Sequence, residues 1–434
     1  MIKKIYKKSI WYFLISLLFF QPARYVLGDS LTSVWNYVLI AVCAVYVFLY
    51  IKNIRSEGMR KPDVGILALT AAHVFCLCIS SLFNVSTSNI RGGVIYAAFL
   101  AGFIAYSRFG LINAPKQFLE GMIAAGTLIC GANLLTILLY QNNGGMRKGI
   151  DSAMGRAYSD NWFLLGHANN TFFVVFPVVV LLFVYAYQFH KKWIKPAYLF
   201  AVFALASFCV QWSLAGFLSF SVFLGLVVLD GIPSPGAVRI VKRAVDLRLN
   251  MIVFLTLESF LALFSGLSRY TDFLLKYFGK GQSISARLGI WTNAVRYIMM
   301  RPILGNGWNK ESVEIMRLTR SHTHNILIEY LYCGGIVAVF LFLFAVEYLQ
   351  RQIDTRKSLF YSNKASRIAL YAVTPYMLAC TFDYYMFRYH PMILYVILWY
   401  LYYHSGKAGQ NENGLRHGGG YEQTDRNTDF SQSI

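Results

Sequence analysis

SARLGIWTNAVRYIMMRPILGNGW (285–308) and RSHTHNILIEYLYCGGI (320–336) are the two segments on which the reading of this chain turns. Apolar stretches bound this region on both sides, 249–267 before it and 326–347 after it. Between those stretches the chain carries nine basic residues: Arg269, Lys276, Lys280, Arg287, Arg296, Arg301, Lys310, Arg317 and Arg320. A chain of apolar runs that keeps one long cationic loop is expected to place its chemistry there.

Composition points to the class. Hydrophobic residues make up 57% of the 434 and charged residues 14%, against about 25% charged in a soluble domain. Apolar runs near the length needed to cross a hydrocarbon core of about 30 Å recur along the chain. They predict an all-α polytopic membrane protein with twelve spans, at 9–27, 31–51, 64–83, 93–107, 119–140, 170–189, 196–212, 214–229, 249–267, 326–347, 367–382 and 391–404. Residues 1–404 form one transmembrane domain in this reading, with extracytoplasmic loops at 141–169 and 268–325, the larger containing short amphipathic helices. The Gly- and Asn-rich segment 405–434 has scarcely any apolar residues and is expected to be a disordered cytoplasmic tail.

A net charge of +20 invites a nucleic-acid reading, but basic cytoplasmic connectors also set membrane orientation. MIKKIYKK before the first apolar run places the N-terminus inside, and Gln21-Pro22-Ala23-Arg24 after it marks an anchor rather than a cleaved signal. The short outer connectors then hold only Arg24, Arg91 and Arg388. The two long loops hold the remaining outer cations, either as a solvated surface or to meet an anionic ligand. No nucleic-acid partner is expected.

Several chemistries lack their motifs. GxxxxGK[ST], HExxH, CxxC and GxSxG are all missing from the sequence, so neither nucleotide hydrolysis nor a cofactor or metal is expected. The seven cysteines lie nearly all in apolar runs, and Cys76 and Cys78 fit packing roles. Any reaction must draw on an activated substrate or a gradient.

Within 285–301, Leu288, Trp291, Val295, Ile298 and Met299 form one apolar stripe at helical spacing, with Ser283 or Ser285 as cap and Pro302 as stop. Arg287 lies at the edge of that stripe, where it is either an interfacial anchor or a ligand for a lipid diphosphate. Trp308 after the Gly305-Asn306-Gly307 turn is an interfacial anchor or a sugar-stacking ring. In the first long loop Arg156 and His167 are candidate site residues, and Gly166-His167-Ala168-Asn169-Asn170 also reads as a helix start capped by Asn169 or Asn170. His322 and His324 are one residue apart and would diverge on a helix. His324, directly before Asn325 at the first turn of the next helix, is the candidate base, because a helix N-terminus disfavours an imidazolium.

Arg287-x3-Trp291, Pro302-x2-Gly305-x-Gly307 and His324-Asn325, opening a helix with a Gly-Gly-Ile turn, together resemble the O-antigen ligase-like superfamily. That superfamily includes Wzy-type polymerases of lipid-linked oligosaccharide repeat units and O-antigen ligases. Gly166-His167-Ala168-Asn169 resembles the family's Gly-His/Asn-Pro-Asn stretch, with Ala168 where proline is usual. The family's Ser-Arg-Gly has a similar place at Gln211-Trp212-Ser213-Leu214-Ala215-Gly216, but without the arginine. Either Arg156 or another loop arginine takes its part, or that part of the mechanism does not carry over.

The resemblance implies an inverting glycosyltransferase in a bacterial inner membrane, working at the outer leaflet on undecaprenyl-diphosphate-linked oligosaccharide. Its catalytic residues would be His324 and Arg287. Substrate contacts would come from Arg156, His167, Asn169, Trp291, Trp308, Arg320, His322 and Asn325. Membrane lipids, a flippase and a chain-length regulator would be its partners. An O-antigen ligase acting on lipid A-core is the alternative, and a lipid-linked oligosaccharide flippase or exporter is a third.

The charge pattern yields a topology test. Single cysteines at Ser152 and Ser312 are expected to react with an impermeant thiol reagent in intact cells, or in spheroplasts if there is an outer membrane. Protection of both would refute the orientation.

Overall fold

The structure, a computed structural model, describes residues 2–84, 88–140, 142, 145–146, 149–151, 156–158, 162–211, 213–263, 281–308, 323–384, 386 and 388–417. Within these, the side chains of 2–7, 149–151, 156–158, 168, 260–263, 281–286, 288 and 405–417 are not described.

Helix dominates, as apolar runs demand when every backbone polar group must be satisfied within the segment. The order begins with α1 (Ile2–Phe19), α2 (Arg24–Glu57), α3 (Lys61–Leu82), α4 (Ile90–Asn113) and α5 (Pro115–Tyr140). Two small antiparallel hairpins follow, β1 (Gly149–Asp151) with β2 (Arg156–Tyr158) and β3 (Trp162–Phe163) with β4 (Gly166–His167). Next come α6 (Ala168–Gln188), α7 (Ile194–Val210), α8 (Leu214–Leu229), α9 (Pro235–Ala244), α10 (Leu247–Leu263), α11 (Gly281–Met300) and α12 (Ile326–Asp354). The order closes with α13 (Lys357–Ser362), α14 (Lys364–Tyr371), α15 (Val373–Phe382) and α16 (Met392–His417).

Among the described residues, seven helices are long and apolar enough to cross a membrane, and Lys8–Phe19, Leu214–Leu229 and Met392–His404 are shorter apolar helices. The chain is an all-α membrane protein. Its outward faces agree, for Val45 and Phe48 on α2, Leu135 and Leu138 on α5, Val202 and Phe203 on α7, and Ile336 and Phe340 on α12 are apolar and exposed. Such contiguous apolar surface is unfavourable in water and favourable in lipid. The axis of the bundle is α6, whose apolar window is 94% buried; it contacts α5, α7 and α14.

Several boundaries differ from expectation. The stretch 367–382 is divided between α14 and α15. Inside the connector after α8, Ser234 accepts from the Ala237 amide and caps α9, a short helix outside the twelve expected spans that carries Arg239, Lys242 and Arg243. The final helix continues past Ser405 to His417. On α11 the buried residues are Ile290, Trp291, Ala294 and Ile298, whereas Val295 and Met299 are exposed. Hydrophobicity misplaced that stripe because, beside lipid, an apolar side chain gains nothing decisive by turning inward.

The Gly-Gly-Ile and Gly-Asn-Gly motifs meet in one joint. Gly335 breaks α12 with φ 62° and ψ −162°, a region nearly restricted to glycine. The break frees carbonyls that the turn after α11 then satisfies. Asn306 N donates to Tyr332 O at 2.7 Å, and Gly307 N to Cys333 O at 3.0 Å. In return Ile336 N donates to Pro302 O at 2.9 Å. The other side of the turn is held by the end of α3. Ser80 Oγ donates to Leu304 O at 2.5 Å, Trp308 N donates to Ser81 Oγ at 2.9 Å, and Asn84 Nδ2 donates to Gly305 O at 3.3 Å.

Gly335→Ala should break this joint, because its Cβ would stand 2.2 Å from Ile303 O and the backbone itself would cost about 1–3 kcal/mol. Thermal unfolding of the purified protein in detergent should show a lower midpoint than for Gly131→Ala, where a Cβ meets open space. Equal midpoints would refute the role of the joint.

Candidate functional site

The segment Thr323-His324-Asn325 is built as a set of mutual supports. Asn325 caps α12, its Oδ1 accepting from Ile328 N at 2.9 Å. Its Nδ2 donates to the Glu258 carboxylate on α10 and to Thr381 O at 3.2 Å on α15. Thr323 donates to Glu329 Oε2 from both N and Oγ1, each at 2.7 Å, and its carbonyl accepts from Trp291 Nε1 at 2.8 Å. Buried polar groups need such partners. Polar groups of four helices, α10, α11, α12 and α15, thus hold this one segment.

His324 sits between these anchors. Among the described residues it is the one non-glycine with φ in the left-handed region, at 60°, which costs on the order of 1–3 kcal/mol and is typical of functional positions. It lies before the cap and not on the first turn, so the helix-end argument made from sequence does not describe its surroundings. A carboxylate does. His324 Nδ1 donates to Asp383 Oδ1 at 2.7 Å, both groups being buried. An ionised carboxylate only accepts, so Nδ1 carries the proton and neutral His324 keeps an acceptor lone pair on Nε2. Tyr384 N donates to His324 O at 3.3 Å, which ties the loop after α15 to the same segment.

Arg287 completes the cluster. Its Nη2 lies 3.4 Å from Asp383 Oδ2, with the side chain 16% exposed. The residue expected at a lipid interface is therefore turned toward the carboxylate. Burial by itself would raise the Asp383 carboxyl, but the hydrogen bond from His324 and the nearby Arg287 guanidinium outweigh it and hold the group below the usual carboxylate range.

The other expected residues divide. His167 and Asn169 lie at the start of α6. His167 Nδ1 accepts from Asn169 N at 3.4 Å, so the cap is His167 and not Asn169 or Asn170. Asn169 Oδ1 accepts from Ser213 Oγ at 2.9 Å. Trp291 and Asn325 serve as supports, as described above. Trp308 is buried, with its ring 5.0 Å from that of Tyr96 and its amide on Ser81, in the joint rather than beside His324. The side chain of Arg156, and all of Arg320 and His322, lie outside the described residues.

Asp383, which joins this cluster, is not among the residues expected from the sequence. Asp383 had one available signal, an acidic residue ending an apolar helix in a chain with only 20 acidic residues. Among the described residues no group of three or more His, Cys, Asp and Glu is placed to hold a metal ion. What the cluster can do is take a proton at an oriented imidazole while a guanidinium binds an anion. Comparisons with models of known families, with curated proteins and with solved structures find no match.

The supports predict their own energetics. Asn325→Ala removes the cap, worth about 0.5–2 kcal/mol, and strips the buried Glu258 of its amide partner. A lowered thermal midpoint is expected, with Asn325→Asp also destabilised because it sets a second carboxylate against Glu258. An unchanged midpoint in both would refute the arrangement.

Proposed function

We propose that this chain is a membrane glycosyltransferase that polymerises undecaprenyl-diphosphate-linked oligosaccharide repeat units at the outer leaflet of a bacterial inner membrane. The observation that carries the reading is the buried Asp383–His324 pair with Arg287 on the same carboxylate. A base held by a carboxylate and a cation beside it suit glycosyl transfer from a diphosphate donor. They act without a nucleotide, in keeping with the motif content of the chain.

In the proposed step a hydroxyl of the acceptor glycan attacks the anomeric carbon of the donor. Its proton passes to His324 Nε2 while Asp383 holds Nδ1 and steadies the imidazolium that forms. The new glycosidic C–O bond forms as the anomeric carbon's bond to the diphosphate oxygen breaks, and the lipid diphosphate leaves with the electron pair. Attack opposite the leaving group inverts the anomeric centre. Arg287 would meet charge as it grows on the diphosphate, an electrostatic contribution of several kcal/mol in a partly dry site. The protein would hand on undecaprenyl diphosphate and a longer chain.

The ionisable groups inside the helices bear on the transporter alternative. Glu258 and Glu329 are engaged with Asn325 and Thr323, and His73 with Leu69 O, Tyr330 and Tyr384. They brace the site segment and the core beneath it, a use that a fixed catalytic site requires.

Purified protein given a lipid-linked repeat unit is expected to yield a ladder of products. His324→Ala and Asp383→Asn should each lower kcat by about 10²–10⁴-fold with donor binding retained. Arg287→Ala should be inactive, and Arg287→Lys badly impaired because the planar fork is lost. His322→Ala should keep substantial activity. Single transfer to lipid A-core in place of a ladder would make the protein a ligase, and transport without extension would make it a flippase. Wild-type extension by His324→Ala would remove the base.

A further inference from the structure

The short helix α9 lies at the end of the bundle opposite His324. It leads into α10, whose first turn carries Arg248, paired with Glu347 and Asp354 near the end of α12. Glu258, further along α10, reaches Asn325 at the start of α12. α9 packs on α8 and α10. Ala237 and Val241 are its buried residues. Arg239, with Lys242 and Arg243 three and four positions on, occupies the opposite face, and all three side chains are exposed. Val238 and Ile240, also exposed, flank the buried face, a distribution that suits a helix lying at a lipid–water interface.

The three cations line an open groove of about 520 Å³ whose apolar walls include Val238 and Leu249. Other charges at this end of the bundle are paired, Arg248 as above and Arg367 with Asp230 at 2.9 Å. Among the described residues Arg239, Lys242 and Arg243 form no ion pair. The one carboxylate on the groove, Asp246, accepts from the Arg248 and Leu249 amides at 3.0 and 3.1 Å and so caps α10. Three positive charges therefore stand against one negative charge already engaged. A basic face alone would simply be solvated. This one is continuous with apolar surface, because Leu249, Ile252 and Val253 follow it along α10 at helical spacing and are 38%, 62% and 59% exposed. Such a strip is unfavourable in water and is covered in lipid. The surface asks for a ligand with an anionic head and an apolar tail.

We propose that α9 and the start of α10 form a binding site for one anionic phospholipid, its phosphate met by Arg239, Lys242 and Arg243 and an acyl chain laid along Leu249, Ile252 and Val253. The lipid would hold the connector between α8 and α10 against the membrane surface. Recognition of the head is electrostatic, at about fivefold in affinity for each Lys or Arg near the bilayer surface. The site is separate from the Asp383–His324 cluster and does not depend on the glycosyltransferase reading.

The test uses full-length protein purified in a neutral detergent and freed of lipid. It is titrated separately with phosphatidylglycerol, phosphatidylethanolamine and glycerol phosphate, and bound molecules are counted by native mass spectrometry. Wild type is expected to take up one phosphatidylglycerol saturably, more tightly than phosphatidylethanolamine and far more tightly than glycerol phosphate, which has the phosphate without a chain. Replacing Arg239, Lys242 and Arg243 together by Gln should weaken phosphatidylglycerol binding about 100-fold, and each single replacement about fivefold. Arg239→Lys with Arg243→Lys keeps the charge and should bind as wild type does. The single replacements decide the matter if the triple variant does not fold. Wild-type affinity in all three of them would overturn the proposal. Equal affinity for the two phospholipids, or uptake of many copies without saturation, would overturn it too, reducing the groove to ordinary lipid contact. Glycerol phosphate binding as tightly as phosphatidylglycerol would also overturn it, leaving an anion site with no lipid.

Discussion

An apolar helix that breaks inside a bundle must find new partners for the carbonyls it releases, since neither lipid nor a dry interior supplies them. In this protein α12 breaks at Gly335, and the turn 304–308 supplies the amides. That exchange fixes the end of α11 against α12 and against the end of α3. Arg287 stands on α11 and His324 just before α12, so their separation depends on this joint. The glycines at 305, 307 and 335 are there because each lets one backbone come close to another.

The second constraint is a buried carboxylate. Asp383 is costly to desolvate, and His324 and Arg287 together offset the cost. The same pairing sets the imidazole tautomer and helps hold His324 in a left-handed backbone state. Such strain persists only when surroundings over-determine it. Glu258, Glu329, Trp291 and Thr381 do so, each through a bond to a neighbour of His324. The segment 323–325 is held in place because polar groups of four helices converge on it.

How much of this could be read in advance varied with the range of the interaction. The long apolar helices were legible, because a helix satisfies its own backbone and hydrophobic length marks it, but seven and not twelve helices among the described residues are long and apolar enough to cross a membrane. Arg287, Trp291, His324 and Asn325 were legible as a group from their motif spacing. The buried face of α11 was not, because Val295 and Met299 are as apolar as Ile290 and Ile298, and apolarity does not choose between lipid and protein. The role of Trp308 was misjudged for the same reason, since a tryptophan near a membrane end serves equally well as an anchor, a stacking ring or a core residue.

By itself the sequence determined an all-α membrane chain, the cationic character of the stretch between two of its apolar runs and the glycines that let turn and helix approach. These follow from properties carried by a residue or by its near neighbours along the chain. Only the tertiary structure decided that Asp383 would hold His324, and that Arg388 would donate to the Leu165 carbonyl. Asp383 is 59 positions from His324 and Arg388 is 223 from Leu165. No local pattern links such pairs. They meet because α15 and α16 pack where they do, and a hydrogen bond depends on distance in space and not on distance along the chain.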